Sequence, residues 1–314
     1  MMKNLCAVSF LVASLYAGNV YAQPAAVKKI IEILFACLLV FASFFYTDKA
    51  VSMMEDKDPV MIKIKKEKKS LEEESINAKV NGEYLVPGYS GLVVDLDKSF
   101  NKMKKYGGYN ESLIVFKEST PTISVDEYYD KYIVSGNGFT NYISLVFEIT
   151  DKELLPKIKD ILKENDVRAT FFVDGLLLKE DNILITSLLQ DFHEIELLNY
   201  KGSYDRLIFE EALDTLQVIA NRRGKYCLAK YDQKEILELC SKEKMHTIIP
   251  TIQISSNPYL SLKGKLREGS IISITPTKEN ISELDVVIKY IKQRGYTLDT
   301  LEQLLSEARN ITEK

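Results

Sequence analysis

Metal-assisted hydrolysis needs histidines or cysteines at ligand spacing, and this chain has few of either. Its 314 residues hold two histidines, His193 and His246, and four cysteines. There is no CxxC, and no Cys/His spacing suits a zinc site. Carboxylates remain. Glu194 and Glu196 alternate along the run HEIELL and so share one face of a strand. Such a pair reads as salt-bridged or solvated before it reads as an acid and base. Asp174 closes another run, RATFFVDG, at the end of the strand where α/β barrels build active sites. His193 reads as a structural or edge histidine, and His246 belongs to a helix-to-strand passage. Cys227 and Cys240 read as two buried free thiols, with a disulfide as the alternative.

The elements that would position these residues follow from pattern. Residues 169–173 are apolar or β-branched without alternation, which suits a strand covered on both faces. Before it, PKIKDILKEND starts on Pro156 and carries Ile158, Ile161 and Leu162 on one face, a helix. Residues 142–150, YISLVFEIT, form a further strand-like run, so the three make a βαβ unit. Downstream, helices are predicted over 182–190 and 206–222. Another carries Ile236, Leu237 and Cys240 behind a capping box of Asp232 and Glu235. Residues 247–254 read as a strand interrupted by Pro250, and 269–274 as another. This alternation predicts a parallel α/β architecture.

Length allows one large domain, or one with a smaller companion. A net charge of −4 and a pI near 5.5 exclude nucleic acid as the expected partner. Residues 1–26 form a signal-like leader, with a small-x-small site ending at Ala22. Residues 27–47 hold an apolar run near the lower length limit for a membrane helix. Lys28 and Lys29 would hold its start inside and send the rest out. A cleaved signal followed by a stop-transfer helix would leave the main domain inside; a single signal-anchor with the main domain extracytoplasmic is the preferred resolution, and a hairpin of the two segments is the alternative. Residues 48–80 read as a charged stalk, and 81–140 as a small accessory region for packing or docking. Residues 141–314 form the main domain.

Several of these segments resemble the polysaccharide deacetylases, the NodB-homology family. ATFFV after a helix is one. HEIE, KYCLAKYD, GSIISITP and GYTLDTLEQLL follow in the family's order. The resemblance implies an irregular (β/α) barrel of the polysaccharide deacetylase type. It also implies an Asp and two His holding a divalent metal, a second Asp as base and a late His as acid. This chain departs at nearly every one of these positions. The base falls on Glu148 and the metal Asp on Ile149. The metal histidines fall on Leu198 and Gly202, and the acid on Thr275.

The implied strand order gathers Glu148, Asp174, Leu198, Asn199, Tyr231 and Thr275 at one end of the barrel. Glu148 and Asp174 are the candidate catalytic carboxylates of a relict site. Asn199, Tyr231 and Thr275 are candidate ligand-binding residues. No metal or cofactor is expected. The expected function is a membrane-anchored, non-catalytic protein that binds glycan or serves as a scaffold at the cell envelope. The alternatives are a hydrolase or deacetylase working through a non-standard carboxylate site, and a structural protein that binds an unspecified partner.

Overall fold

The computed structural model describes residues 24–309; residues 1–23 of the expected leader lie outside it. Two compact units divide the chain. One comprises the residues up to Glu67 together with Phe100–Asn110; the other comprises Lys68–Ser99 and Glu111–Lys314.

The first unit is helical. Helix Pro24–Glu55 contains Lys28–Glu55, which is long and apolar enough to cross a membrane. Its apolar side chains, Phe35, Leu38 and Phe41 among them, are exposed. A turn follows, and Lys65 ion-pairs with Asp56 across it at 2.7 Å. The next helix, Pro59–Leu71, buries Met61 and Ile64. Most of the KIKKEKKSLEEE run is therefore helical, with its lysines outward.

The second unit is built on parallel strands. β6 (Tyr142–Ile149), β7 (Thr170–Val173) and β8 (Glu194–Leu197) pair in sequence. On the other side β6 pairs with β12 (Ile271–Ile274), and β12 with β11 (Ile252–Ile254). β13 (Thr297–Asp299) pairs with the first residues of β6, ahead of β7. A second sheet pairs β9 (Tyr226–Leu228) with β10 (His246–Ile248), and β10 with the short β5 (Tyr132–Ile133). β5 carries the hairpin of β1 (Lys79–Asn81) and β2 (Tyr84–Val86). β3 (Gly91–Val94) and β4 (Phe116–Ser119) form a separate antiparallel pair. Residues of the 81–140 region thus extend the sheet that contains β9 and β10.

Side-chain alternation sorts two cores. Ile143, Leu145, Phe147, Phe171, Val173, Ile195 and Leu197 face the helices, including Leu155–Glu164, Asn182–Gln190 and Arg206–Ala220. The opposite face carries Val146, Phe172, Leu228, Ile248 and Ile271 in an inner core. Registered with them are Glu148, Thr170, Glu194, Glu196 and Ser273. Strands covered on both sides explain the unbroken apolar runs.

No ladder joins β8 to β9; side chains close that seam. Glu196, fully buried, accepts from Arg222 Nη1 at 2.8 Å and from the backbone N–H groups of Lys225 and Tyr226. Arg222 also donates to the Ile195 carbonyl on β8. Gly224 lets the turn come this close: a Cβ there would lie 3.0 Å from the Glu196 carboxylate. Glu194 accepts from the Thr170 hydroxyl at 2.6 Å and from Glu302 N–H at the start of helix Leu301–Leu305. The alternating glutamates are therefore salt-bridged and buried.

Three expectations change. Cys227 and Cys240 are not free thiols but form a disulfide, because helix Lys234–Lys242 packs back on β9 and brings their Cα atoms to 6.4 Å. Asp232 does not cap that helix. Its carboxylate accepts from the Tyr84 hydroxyl at 2.8 Å, and the helix starts after Gln233 with no side-chain cap. The strand expected over 247–254 splits at Pro250 into β10 and β11, which belong to different sheets. Proline has no N–H to continue a ladder.

Burial pushes Glu196 up to about 8 from an ordinary 4.5 and also raises Glu194, since one guanidinium serves two carboxylates. The folded state then holds more protons than the unfolded one between about pH 4.5 and 8, so stability falls as pH rises through that window. The expected loss is a few kcal/mol, at about 1.4 kcal/mol per pKa unit. Glu194→Gln keeps the acceptor for Thr170 and leaves Arg222 to Glu196. Urea denaturation at pH 5 and pH 8 should show a clearly flatter profile for this variant. An unchanged slope would show that the two buried glutamates do not set this pH dependence.

Candidate functional site

The strand ends on the side of Ile149, Val173, Leu197 and Ile274 carry the residues that sequence placed together. Glu148, on the penultimate position of β6, points inward with its side chain mostly buried. It accepts from the Ser273 hydroxyl at 3.3 Å and ion-pairs with Lys230 Nζ at 3.2 Å. Lys230 follows β9, and its carbonyl accepts from Gln253 Nε2 at 2.6 Å, which ties that loop to β11. Tyr204 lies within the field of both Glu148 and Lys230, and its hydroxyl bonds to Asn199. Burial is the main cause that raises the Tyr204 phenol above its ordinary value. Glu148, Lys230, Ser273, Tyr204 and Asn199 are the polar groups gathered here.

Asp174 sits beside them in the backbone but is occupied. It is buried, caps helix Gly175–Glu180 through Leu176 N–H at 2.9 Å, and takes Lys201 N–H at 2.7 Å on its other oxygen. Both oxygens thus hold backbone donors, which suits a cap. Asn199 receives Gly202 N–H at 2.9 Å, closing the turn at residues 199–202. Tyr231 is 66% exposed on the loop after β9. Thr275 is exposed after β12, and its carbonyl accepts from Asn280 Nδ2 at 2.8 Å. Neither Tyr231 nor Thr275 is among the side chains bonded to Glu148.

Sequence reasoning missed Tyr204 and Ser273, and gave Lys230 no role. Ser273 was legible in principle: it shares the inward face of a strand that pairs with β6. Nothing local marks Tyr204, which reaches the cluster through the turn before helix Arg206–Ala220.

The residues at the family's metal positions do not fit a metal. Ile149 is buried in the apolar layer between strands and helices. Leu198 is buried in the inner core. Gly202 has φ of +77°, a left-handed conformation that a histidine would adopt only under strain. Among the described residues, no three His, Cys, Asp or Glu side chains converge as a metal site. His193 lies at the other end of β8, where Nδ1 accepts from Ala169 N–H at 3.3 Å and the ring meets Phe171 edge-on. Burial lowers its pKa to about 4, so it is a neutral core histidine.

Metal analysis of the purified protein should therefore find less than about one-tenth of an equivalent of zinc, cobalt or nickel. A stoichiometric metal whose removal by chelator lowers the melting temperature would overturn this assignment.

Comparison with known proteins agrees with this geometry. Residues 136–201 match the polysaccharide deacetylase family model. The uncharacterised protein YlxY of Bacillus subtilis (strain 168) is 25% identical over 278 residues, covering 82% of this chain and 87% of its own length. A CE4 family pseudoenzyme from Bacillus anthracis superposes with a TM-score of 0.63 at 24% identity, covering 82% of this chain and 98% of that one. The Bc1960 peptidoglycan N-acetylglucosamine deacetylase superposes with a TM-score of 0.51 at 21% identity, covering 61% of this chain and all of that one. The match begins just before β6 and runs through the turn after β8, the stretch that holds Glu148, Asp174 and Asn199. With an α/β fold of this type and none of the metal-holding side chains at the family's positions, the chain is similar to the polysaccharide deacetylases over residues 136–201 and departs from them at the metal positions.

Proposed function

We propose that this protein binds glycan at the cell envelope without cleaving it, anchored by its N-terminal helix with the main domain outside the cytoplasm. The observation that carries the reading is the state of Glu148. A general base must be free to take a proton from water; here the carboxylate is bound to Lys230 and Ser273. The three positions that would hold an activating metal carry Ile149, Leu198 and Gly202. What is left is a group of hydrogen-bonding side chains, with the exposed Tyr231 next to Lys230 in the chain. Apolar and aromatic surfaces with a few polar groups are suited to sugars. One relative of this fold is described as a pseudoenzyme, and a mutant of it as having restored enzymatic activity. Those descriptions concern that protein, and they support an inactive state as one this fold can adopt.

The disulfide supports the outward topology. Cys227 and Cys240 are both buried, and disulfides persist mainly in oxidising compartments. Lys28 and Lys29 precede the apolar stretch, consistent with an inside N-terminal flank.

Two measurements test the reading. The purified protein should be retained on insoluble N-acetylglucosamine polymer or peptidoglycan, and Tyr231→Ala or Lys230→Gln should reduce retention several-fold in protein that still unfolds cooperatively. Retention unchanged in both variants would remove this face as the binding surface. Protease added to intact cells should degrade the main domain. Protection that ends only on lysis would show the reverse topology.

A further inference from the structure

A second concave region lies at the opposite end of the strands from Glu148, where β9 and β10 begin. It consists of two adjoining hollows that share Lys225 and Lys244 in their walls. The first, about 450 Å³, is walled by Tyr129, Tyr226, His246 and Leu305. The second, about 530 Å³, lies between the turn at residues 222–225 and the turn at residues 242–244. These two turns bring Arg222, Arg223, Lys225, Lys242 and Lys244 to one place, on a chain whose net charge is −4. The concentration of cations is local and belongs to the fold.

Not all these charges are spoken for. Arg222 is held by Glu196, and Arg223 pairs with Glu243. Among the described residues, no carboxylate lies within ion-pair distance of Lys242 or Lys244. Lys225 pairs with Glu302, but both side chains are about half exposed. A pair so solvated contributes about 0–1 kcal/mol and exchanges readily for another anion. Three lysines are therefore available at the rim.

The wall of the first hollow is of a different kind. The Tyr129 ring stacks on His246 with centroids 4.4 Å apart. The His246 side chain is 8% exposed, its Nε2 faces Asp126 at 3.3 Å, and its buried Nδ1 has no hydrogen-bond partner. Val125, Ile133 and Leu305 add apolar surface, and Asp126, Glu302 and Glu307 bring three carboxylates to the same lining, so the anion's place is the lysine rim away from them. An aromatic and aliphatic wall favours a ring, and the lysine rim favours a negative group attached to it. A volume near 450 Å³ suits one small molecule.

We propose that the hollow where β9 and β10 begin is a binding site for a small organic anion, a ring bearing a phosphate or carboxylate. The ring sits against Tyr129, and the anion sits on Lys225, Lys242 and Lys244. This site is separate from the Glu148 cluster and stands whether or not that cluster binds glycan.

The test is calorimetric titration of the full chain at low salt with phenyl phosphate, and in parallel with inorganic phosphate and with phenol. Phenyl phosphate should bind roughly tenfold more tightly than either, because it alone uses both the wall and the rim. Lys242→Gln with Lys244→Asn should weaken phenyl phosphate roughly tenfold. Asparagine suits the left-handed backbone at position 244, where φ is 54°, so that variant should fold normally. Tyr129→Ala should abolish the preference for phenyl phosphate over inorganic phosphate. Lys230→Gln, at the other end of the strands, should leave the affinity for phenyl phosphate as in wild type. The proposal fails if wild type does not bind phenyl phosphate. It also fails if the double lysine variant binds it as tightly as wild type, or if Lys230→Gln is the change that removes binding.

Discussion

The buried contact between Glu196 and Arg222 supports the rest of the second unit. β8 and β9 share no backbone ladder, so the two sheets meet there without backbone pairing. A carboxylate from β8 collects the backbone donors that open β9, and a guanidinium from the end of the preceding helix crosses back to a β8 carbonyl. Removing Arg222 would take away the donor to Glu196 and to the Ile195 carbonyl at once and leave both buried glutamates without their cation, a destabilising loss. Glu194 extends the same system to Thr170 and the helix Leu301–Leu305. The polar interior at this end lets the C-terminal segment, Ser306 and Glu307 included, approach the strand starts and shape the hollow there. Glu307 in turn binds Gly88 N–H and the Ser124 hydroxyl, tying the segments before β5 to the same end.

The other end of the strands has followed a different course. A carboxylate at the Glu148 position needs compensation when no metal is near. Lys230 and Ser273 supply it, and aliphatic side chains fill the ligand positions at Ile149 and Leu198. Asp174, which ends its strand at the usual place for chemistry, serves as a helix cap and a turn anchor. The geometry is that of a site whose polar groups satisfy one another. Lys230, at 60% side-chain exposure, is the solvent-facing member of the group.

Much of the architecture was legible because it is local or periodic. The doubly covered strand at residues 169–173, its preceding helix with Pro156 in the first turn, and the helix Asn182–Gln190 all follow from composition and spacing. The side-chain types at the motif positions were legible as well, since leucine and isoleucine cannot ligate zinc. What was not legible depends on distant residues. Tyr84 takes Asp232 away from its helix across 148 positions of sequence. Cys227 meets Cys240 only because a helix folds back on β9. Arg222, two residues beyond its helix, gives no hint that it crosses a strand seam. The joining of β5 to β10 was also hidden, because two residues carry too little pattern to show a strand.

The account's central claim is that the Glu148 cluster binds without turnover. Acetate release from N-acetylglucosamine oligomers, measured for the wild-type protein with and without added zinc, addresses it most directly. The account predicts no release above the protein-free blank in either condition. Release by wild type that Glu148→Gln abolishes, with the variant still folded, would contradict it and make the protein an enzyme.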